Sequence, residues 1–476
     1  MFEANSFCKL IPTMANFEQI NIAFLDWLKA NGATVSTSIA LQDYSAESAG
    51  RGVVATADIN KDDELFSIPR PLLLSPETSE LAKKIDLTTL AGWNPLMMCM
   101  IYEYCQGESS QWKPYFDILP TEFSTPMFWS NEELEELKGT GVVDKIGKEE
   151  AESVFKDQLW PLISANLELF PVQDKDEASF LKIFHRMGSL IMAYAFHNTL
   201  TDKGSDEDAM DEDDDEDEDE DAKVNVSMVP MADMLNHKTG HNNARLFHEK
   251  ECLRMVAIKP IKAGGQIYNT YGDLCNADLL RKYGFVDVPN PHNIAEISGQ
   301  SVVSQCIEAV EGEAGKDEKV EWLLDNDGLE DFFILEADGE IPEELVGCAK
   351  ILMMPLEEFR TTVVTGKKLP STKLTVEVQK VLRQLLEARL AEYPFTAKDD
   401  RTVLKQPVVD TVSLNKRNAA IVRSGEREIV QSVLDKVKKW RPPAPAPATS
   451  SSSTGKQKGQ PKGQPLHKGK KPYQKK

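Results

Sequence analysis

Pro230-Met231-Ala232-Asp233-Met234-Leu235-Asn236-His237, then Ile267-Tyr268-Asn269-Thr270-Tyr271-Gly272, then Tyr283-Gly284-Phe285, are the stretches on which the reading of this 476-residue chain turns. Each has an ordinary explanation. Asn236 and His237 suit a polar turn or a helix cap, and strand tyrosines are usually packing residues with a satisfied hydroxyl. A zinc site is not supported: His237 and His241 are four apart, but no Glu follows His237 to complete HExxH. Upstream, Ala49-Gly50-Arg51-Gly52 places two glycines around Arg51, which permits either a simple turn or close backbone approach to a ligand. The strand-turn-helix setting of GxGxxG is missing, so a dinucleotide site is not supported. Taken together and in order, the three stretches hold more polar and aromatic chemistry than a plain core needs.

Composition is that of a globular protein, with 41% apolar and 28% charged residues. No apolar run approaches the ~20 residues of a membrane span. The seven cysteines are scattered without a CxxC pair, which argues against a disulfide framework or a thiolate zinc site and for a reducing compartment. The net charge is −23, unevenly placed. Fourteen acidic residues crowd Asp206 to Asp221, and nine basic residues with no acidic one follow from Arg441 to the end. An acidic body repels nucleic-acid phosphates and attracts basic partners. The run within 203–223 is expected to be a disordered acidic loop and 442–476 a disordered basic tail. Lys468-Gly469-Lys470-Lys471 in that tail suits a nuclear address, with presence in the cytoplasm as well.

Periodicity predicts a helix over Phe17 to Lys29, a hairpin joining Val53-Ala55 to Leu65-Ile68, and a mainly helical stretch over 78–200. Strands are expected again around 252–258 and 266–271, joined by a turn at Lys262-Gly265. Beyond Pro291 the pattern is helical, with stripes at Val378, Val381, Leu382, Leu385 and at Ile429, Val433, Leu434, Val437. The expected domains are an N-terminal extension 1–16, a first domain 17–288 and a helical second domain 289–441.

The order Gly-x-Gly, DMxNH, NTYG, YGF resembles the SET-domain protein-lysine N-methyltransferases. The flanking Trp112-Lys113-Pro114-Tyr115-Phe116, Thr125-Pro126-Met127-Phe128-Trp129 and Arg417-Asn418-Ala419-Ala420 are similar to the Rubisco-methyltransferase-like branch. The resemblance covers roughly residues 20 to 440. It implies an α+β SET fold of small β-sheets with a pseudoknot, a helical insertion, and an all-α C-terminal substrate-binding domain. It implies S-adenosyl-L-methionine as methyl donor, held against Gly50, Arg51 and Gly52, contacted by Asn236 and His237, and lined by Tyr194 and Tyr283. Tyr271 matches the catalytic tyrosine; Trp93, Ala195 and Phe285 match substrate-side positions. Two departures stand out. Ala195 occupies a place where relatives often have Ser, and Gly264-Gly265-Gln266 replaces the usual Gly-Glu at what is expected to be a surface turn.

The implied reaction is displacement by a neutral lysine amine on a sulfonium methyl. It needs no protein nucleophile and no metal. The partner is expected to be a protein with a basic segment, ribosomal or nuclear, methylated by a monomer; no membrane and no specific nucleic acid are expected. Two other readings remain: a non-catalytic acidic binder of basic proteins acting through 206–221, and a protein-histidine methyltransferase on the same fold.

Overall fold

The computed structural model describes residues 14–47, 49–197, 226–310 and 315–442. The expected acidic loop 203–223 and the basic tail beyond residue 442 lie outside them. Two four-stranded sheets carry the first half. Strands β1 (Thr34–Val35), β2 (Ile39–Asp43), β3 (Arg51–Ala55) and β4 (Glu64–Pro69) come first, and β5 (Ala195–His197), β6 (Val226–Met228), β7 (Asn236–His237), β8 (Ala244–His248), β9 (Cys252–Ala257) and β10 (Gln266–Asn269) follow the helical stretch. One sheet runs β1-β4-β9-β8 and the other β2-β3-β10-β7, while β5 pairs with β6 in a two-stranded sheet. In β9 the period of two is strict: Leu253, Met255 and Ala257 point inward.

The expected hairpin is not formed. β3 lies between β2 and β10, whereas β4 lies between β1 and β9. The polar turn is there, with the Asn60 N–H donating to the Asp63 carboxylate at 2.7 Å, but it carries the chain from one sheet to the other. The turn at 262–265 does the same between β9 and β10, and the two crossovers touch at the Ile59–Ile261 bridge. Turn chemistry dictates that the chain reverses; it does not dictate which partner each strand meets.

The helix Met14–Ala30 contains the predicted one. Between β4 and β5 the helical stretch is broken into short pieces. Its two long members are Asn94–Gln106 and Glu177–Tyr194. The latter is capped by Asp176, whose side chain accepts from the Ser179 N–H, and buries Phe180, Phe184, Met187, Leu190 and Ile191 along one face. These helices and both sheets share one apolar core.

The C-terminal region is helical, as expected, with an addition the periodicity did not reveal. β11 (Ile294–Ser298) and β12 (Phe332–Glu336) form an antiparallel pair. Both predicted stripes, on the helices Val376–Ala391 and Thr411–Lys439, enter a second core with these strands. A small third cluster joins Trp129, Leu137 and Val142 of the helical stretch to Ala419 and Val422 of the last helix.

Candidate active site

β7 and β10 lie parallel, with Tyr268 opposite Asn236 and Asn269 opposite His237. That register laces the two key stretches together. The Tyr271 N–H donates to His237 Nδ1 at 3.1 Å, and the Tyr271 hydroxyl donates to the Leu235 carbonyl at 3.0 Å. The His237 and Tyr271 rings stack at 5.2 Å, and the Tyr271 and Tyr283 rings at 4.5 Å. Phe285 closes the group at 6.2 Å from Tyr283 and 6.4 Å from His237. Nδ1 accepts a hydrogen bond only when unprotonated, so His237 is held as the neutral ring with its proton on Nε2. Burial lowers its pKa in the same sense. Burial raises the Tyr271 hydroxyl well above its usual range, with the neighbouring Tyr194 adding to the shift, so it remains a phenol.

Glycine makes this aromatic corner possible. Gly284 has φ +80°, and a side chain there would strike Ser124 Oγ at 2.4 Å. Only glycine lets the chain turn between Tyr283 and Phe285 so close to Ser124-Thr125. Met231, buried in the first key stretch, is held at φ 80°. Such strain in a non-glycine residue costs on the order of 1–3 kcal/mol and concentrates at functional sites.

Asp233 is a candidate site group that the motifs alone did not single out. It is 6% exposed. The Tyr115 hydroxyl donates to its Oδ2, while Oδ1 is buried with no hydrogen-bond partner. Burial pushes its pKa up to about 7. Burial raises Tyr194 to about 12, and the charge of Asp233 adds to the shift there and, more weakly, at Tyr271. The available signal was an acid set among Met231, Ala232, Met234 and Leu235.

The expected site residues do not all join this cluster. Arg51 and Gly52 open β3, and Asn236 lies within reach of Gly52: a methyl built on Gly52 would meet Asn236 Nδ2 at 2.7 Å. The Arg51 guanidinium is turned away to Asn21 Oδ1 at 3.0 Å and the Ile118 carbonyl at 2.6 Å, over the Phe17 ring. Tyr194 ends its helix, with Arg51 and Asp233 as its charged neighbours. Gly50 has φ +62° with open space where a side chain would stand. Ala195 begins β5 opposite Met228. Trp93 is 38% exposed and makes no ring contact among the described residues. Gln266 departs from expectation: it pairs with Val54 inside a sheet rather than sitting at a surface turn.

The sequence matches the SET domain family over residues 50–272 and the Rubisco LSMT substrate-binding family over residues 313–430. N-lysine methyltransferase SETD6 of Mus musculus is 31% identical over 444 residues, spanning 87% of this chain and 89% of its own. The chain belongs to the SET-domain N-lysine methyltransferases. Ribosomal lysine N-methyltransferase 4 of Saccharomyces cerevisiae is 29% identical over 449 residues, covering 88% and 89% of the two chains. Rubisco LSMT bound to AdoMet has the same fold, with a TM-score of 0.65 at 21% identity over 88% of this chain and 91% of that one. For a SET methyltransferase the residues fit a bound donor. A side chain at Gly52 would clash with Gln266, Asn236 and Tyr44, so glycine is what lets these groups close on the backbone, and the Asn236 amide nitrogen there is buried without a partner.

Proposed function

We propose that this SET methyltransferase transfers a methyl group from S-adenosylmethionine to a lysine of a non-histone protein, and that Tyr271 is its catalytic residue. The observation that carries the residue assignment is the lacing of Tyr271 to His237 and Leu235, next to the unpartnered Asn236 amide that packs against Gly52. Gly50, Arg51 and Gly52 hold the donor through backbone, since the Arg51 side chain is engaged elsewhere. Asn236 and His237 contact it, and Tyr194 and Tyr283 line it. Trp93, Ala195 and Phe285 face the substrate. S-Adenosylmethionine, when bound, supplies an electrophilic methyl on a cationic sulfur.

The chain's own groups do the rest. The Tyr271 proton is committed to the Leu235 carbonyl, so the phenolic oxygen offers its lone pairs to polarised C–H groups. The stacked rings of His237, Tyr271, Tyr283 and Phe285 exclude water around an entering lysine. Desolvation favours the neutral amine, which is the nucleophile. Asp233, with Oδ1 free of protein donors, gives that lysine an acceptor for its departing proton. Holding amine and methyl in line supplies much of the remaining rate.

The domains are proposed as 17–288 and 289–441, the second receiving the protein substrate. A ribosomal or nuclear substrate is favoured by the likeness to ribosomal lysine N-methyltransferase 4 and by the basic cluster Lys468-Gly469-Lys470-Lys471, which also supports residence in the nucleus and cytoplasm. The test is incubation with labelled donor and an extract of cells lacking the endogenous enzyme, followed by mass mapping of the modified residue. Label on lysine is expected. Label on histidine would replace the lysine assignment, and absence of label in every protein would end the enzymatic reading.

A further inference from the structure

Gly264-Gly265-Gln266 was expected at a surface turn, yet the Gln266 side chain converges with Asn236 on one point. A methyl built on Gly52 would lie 2.6 Å from Gln266 Nε2 and 2.7 Å from Asn236 Nδ2. The sheet register explains the convergence. β10 and β3 pair Gln266 with Val54 and Ile267 with Val53, so Tyr268 falls beside Gly52; β7 then sets Asn236 opposite Tyr268. Paired residues share a face, and so do residues two apart on one strand. Gln266, Asn236 and Gly52 therefore lie on one face of the sheet, with both amides and the Tyr44 ring packed against the place a side chain at Gly52 would need.

Both amide nitrogens are buried there, and neither has a hydrogen-bond partner. Two unmet donors at one spot are costly in the free protein and call for an acceptor that arrives with a ligand. The Arg51 guanidinium cannot serve that ligand, because Asn21 and Ile118 already hold it. Resting on the methyltransferase reading above, we infer that Gln266 is a donor-binding residue. Its amide, alongside that of Asn236, donates to the carboxylate of the amino-acid end, the strongest acceptor S-adenosylmethionine carries.

Calorimetric titration of the full chain with two probes tests this. S-Adenosylhomocysteine has the carboxylate; methylthioadenosine keeps the nucleoside and thioether but lacks the amino-acid end. Gln266→Met removes the donor at similar volume, and Gln266→Glu keeps the shape but opposes carboxylate with carboxylate. The expected result is about a tenfold loss of S-adenosylhomocysteine affinity in Gln266→Met and a larger loss in Gln266→Glu, with methylthioadenosine binding within about twofold of the parent. Equal losses for both probes would overturn the carboxylate assignment. Parent-like binding by Gln266→Glu would show that the residue merely accepts a proton from Asn236, and would also overturn it. A parent chain that binds neither probe would instead sink the methyltransferase reading. Unfolding midpoints of the ligand-free variants confirm that each is folded when titrated.

Discussion

Asp233 in the strand-built half and Asp400 in the helical half are both removed from water, at 6% and 0% exposure, but they have very different company. Asp400 is clamped by two arginines: Arg423 donates to Oδ1, and Arg427 to Oδ2. Arg423 in turn reaches the Glu136 carbonyl and covers the Phe395 ring. Asp233 has one tyrosine on Oδ2, nothing on Oδ1, and no ion pair among the described residues. A buried acid with every lone pair served by cations holds structure together. One left short of donors is kept for a ligand, and the fold tolerates the cost.

The largest effect should come from the clamped acid. Replacing Arg423 by Met leaves Asp400 and Glu136 without their shared partner inside the protein, a change that costs about 3–5 kcal/mol. Denaturant unfolding should show a loss of that size. Asp233→Asn, by contrast, removes a carboxyl that lacks a cationic partner and should hardly lower stability, while reducing kcat by about 10²-fold. Equal destabilisation by the two changes would erase the distinction between the acids.

Next in size is Tyr271→Phe. The ring stacking with His237 and Tyr283 and the backbone bond to His237 survive; only the hydroxyl and its bond to Leu235 go. Turnover is expected to fall by about 10²-fold. Affinity for S-adenosylhomocysteine, read by calorimetry, should stay within about threefold of the parent. Unchanged turnover would remove Tyr271 from the chemistry.

The two halves also differ in how far the sequence revealed them. Helical stripes such as Phe180, Phe184, Met187 and Leu190, or Ile429, Val433 and Val437, are local properties, and the helices fall where those periods predict. The short strands are not local. Val53-Val54 and Leu65-Phe66 both look β-prone, but one neighbour of each comes from about 200 residues away, and nothing in the intervening turn names it. β11 and β12 escaped notice because only five residues each stand against a helical background. At the site, motif order picked out Asn236, His237, Tyr271 and Tyr283, which the fold does gather. It overlooked Asp233, Tyr115 and Gln266, whose meaning comes only from partners made or missing in three dimensions.

A smaller, pH-dependent effect sharpens the contrast. The native Asp233 carboxyl titrates at about 7, against about 3.9 for an unfolded aspartate. The native state holds that proton more tightly, so its contribution to stability is complete below the unfolded value and drains away as pH rises toward 7. The parent should lose stability relative to Asp233→Asn across this window, by up to about 1.4 kcal/mol per pH unit. Glu426, also raised to about 7, and His237, shifted the opposite way, are common to both proteins and cancel in the difference. Denaturant unfolding at several pH values gives that difference directly, and parallel profiles would mean that Asp233 is ionised in the folded protein.

The weakest effect is set by the charge of the whole chain rather than by any one acid. At −23 the protein should attract a substrate with a basic segment over distances longer than any contact described above. Such attraction acts mainly on encounter. Raising salt shortens the Debye length to about 8–10 Å near physiological strength and should raise KM a few-fold while leaving kcat alone. Deleting 206–221 removes fourteen of the acidic residues. The shortened protein should show a shallower dependence of KM on salt and keep most of its turnover on a small peptide, because Tyr271, Asn236 and Asp233 are untouched. If that deletion abolished function while salt left KM unmoved, the acidic segment itself would be the working part and the laced tyrosine site would be incidental.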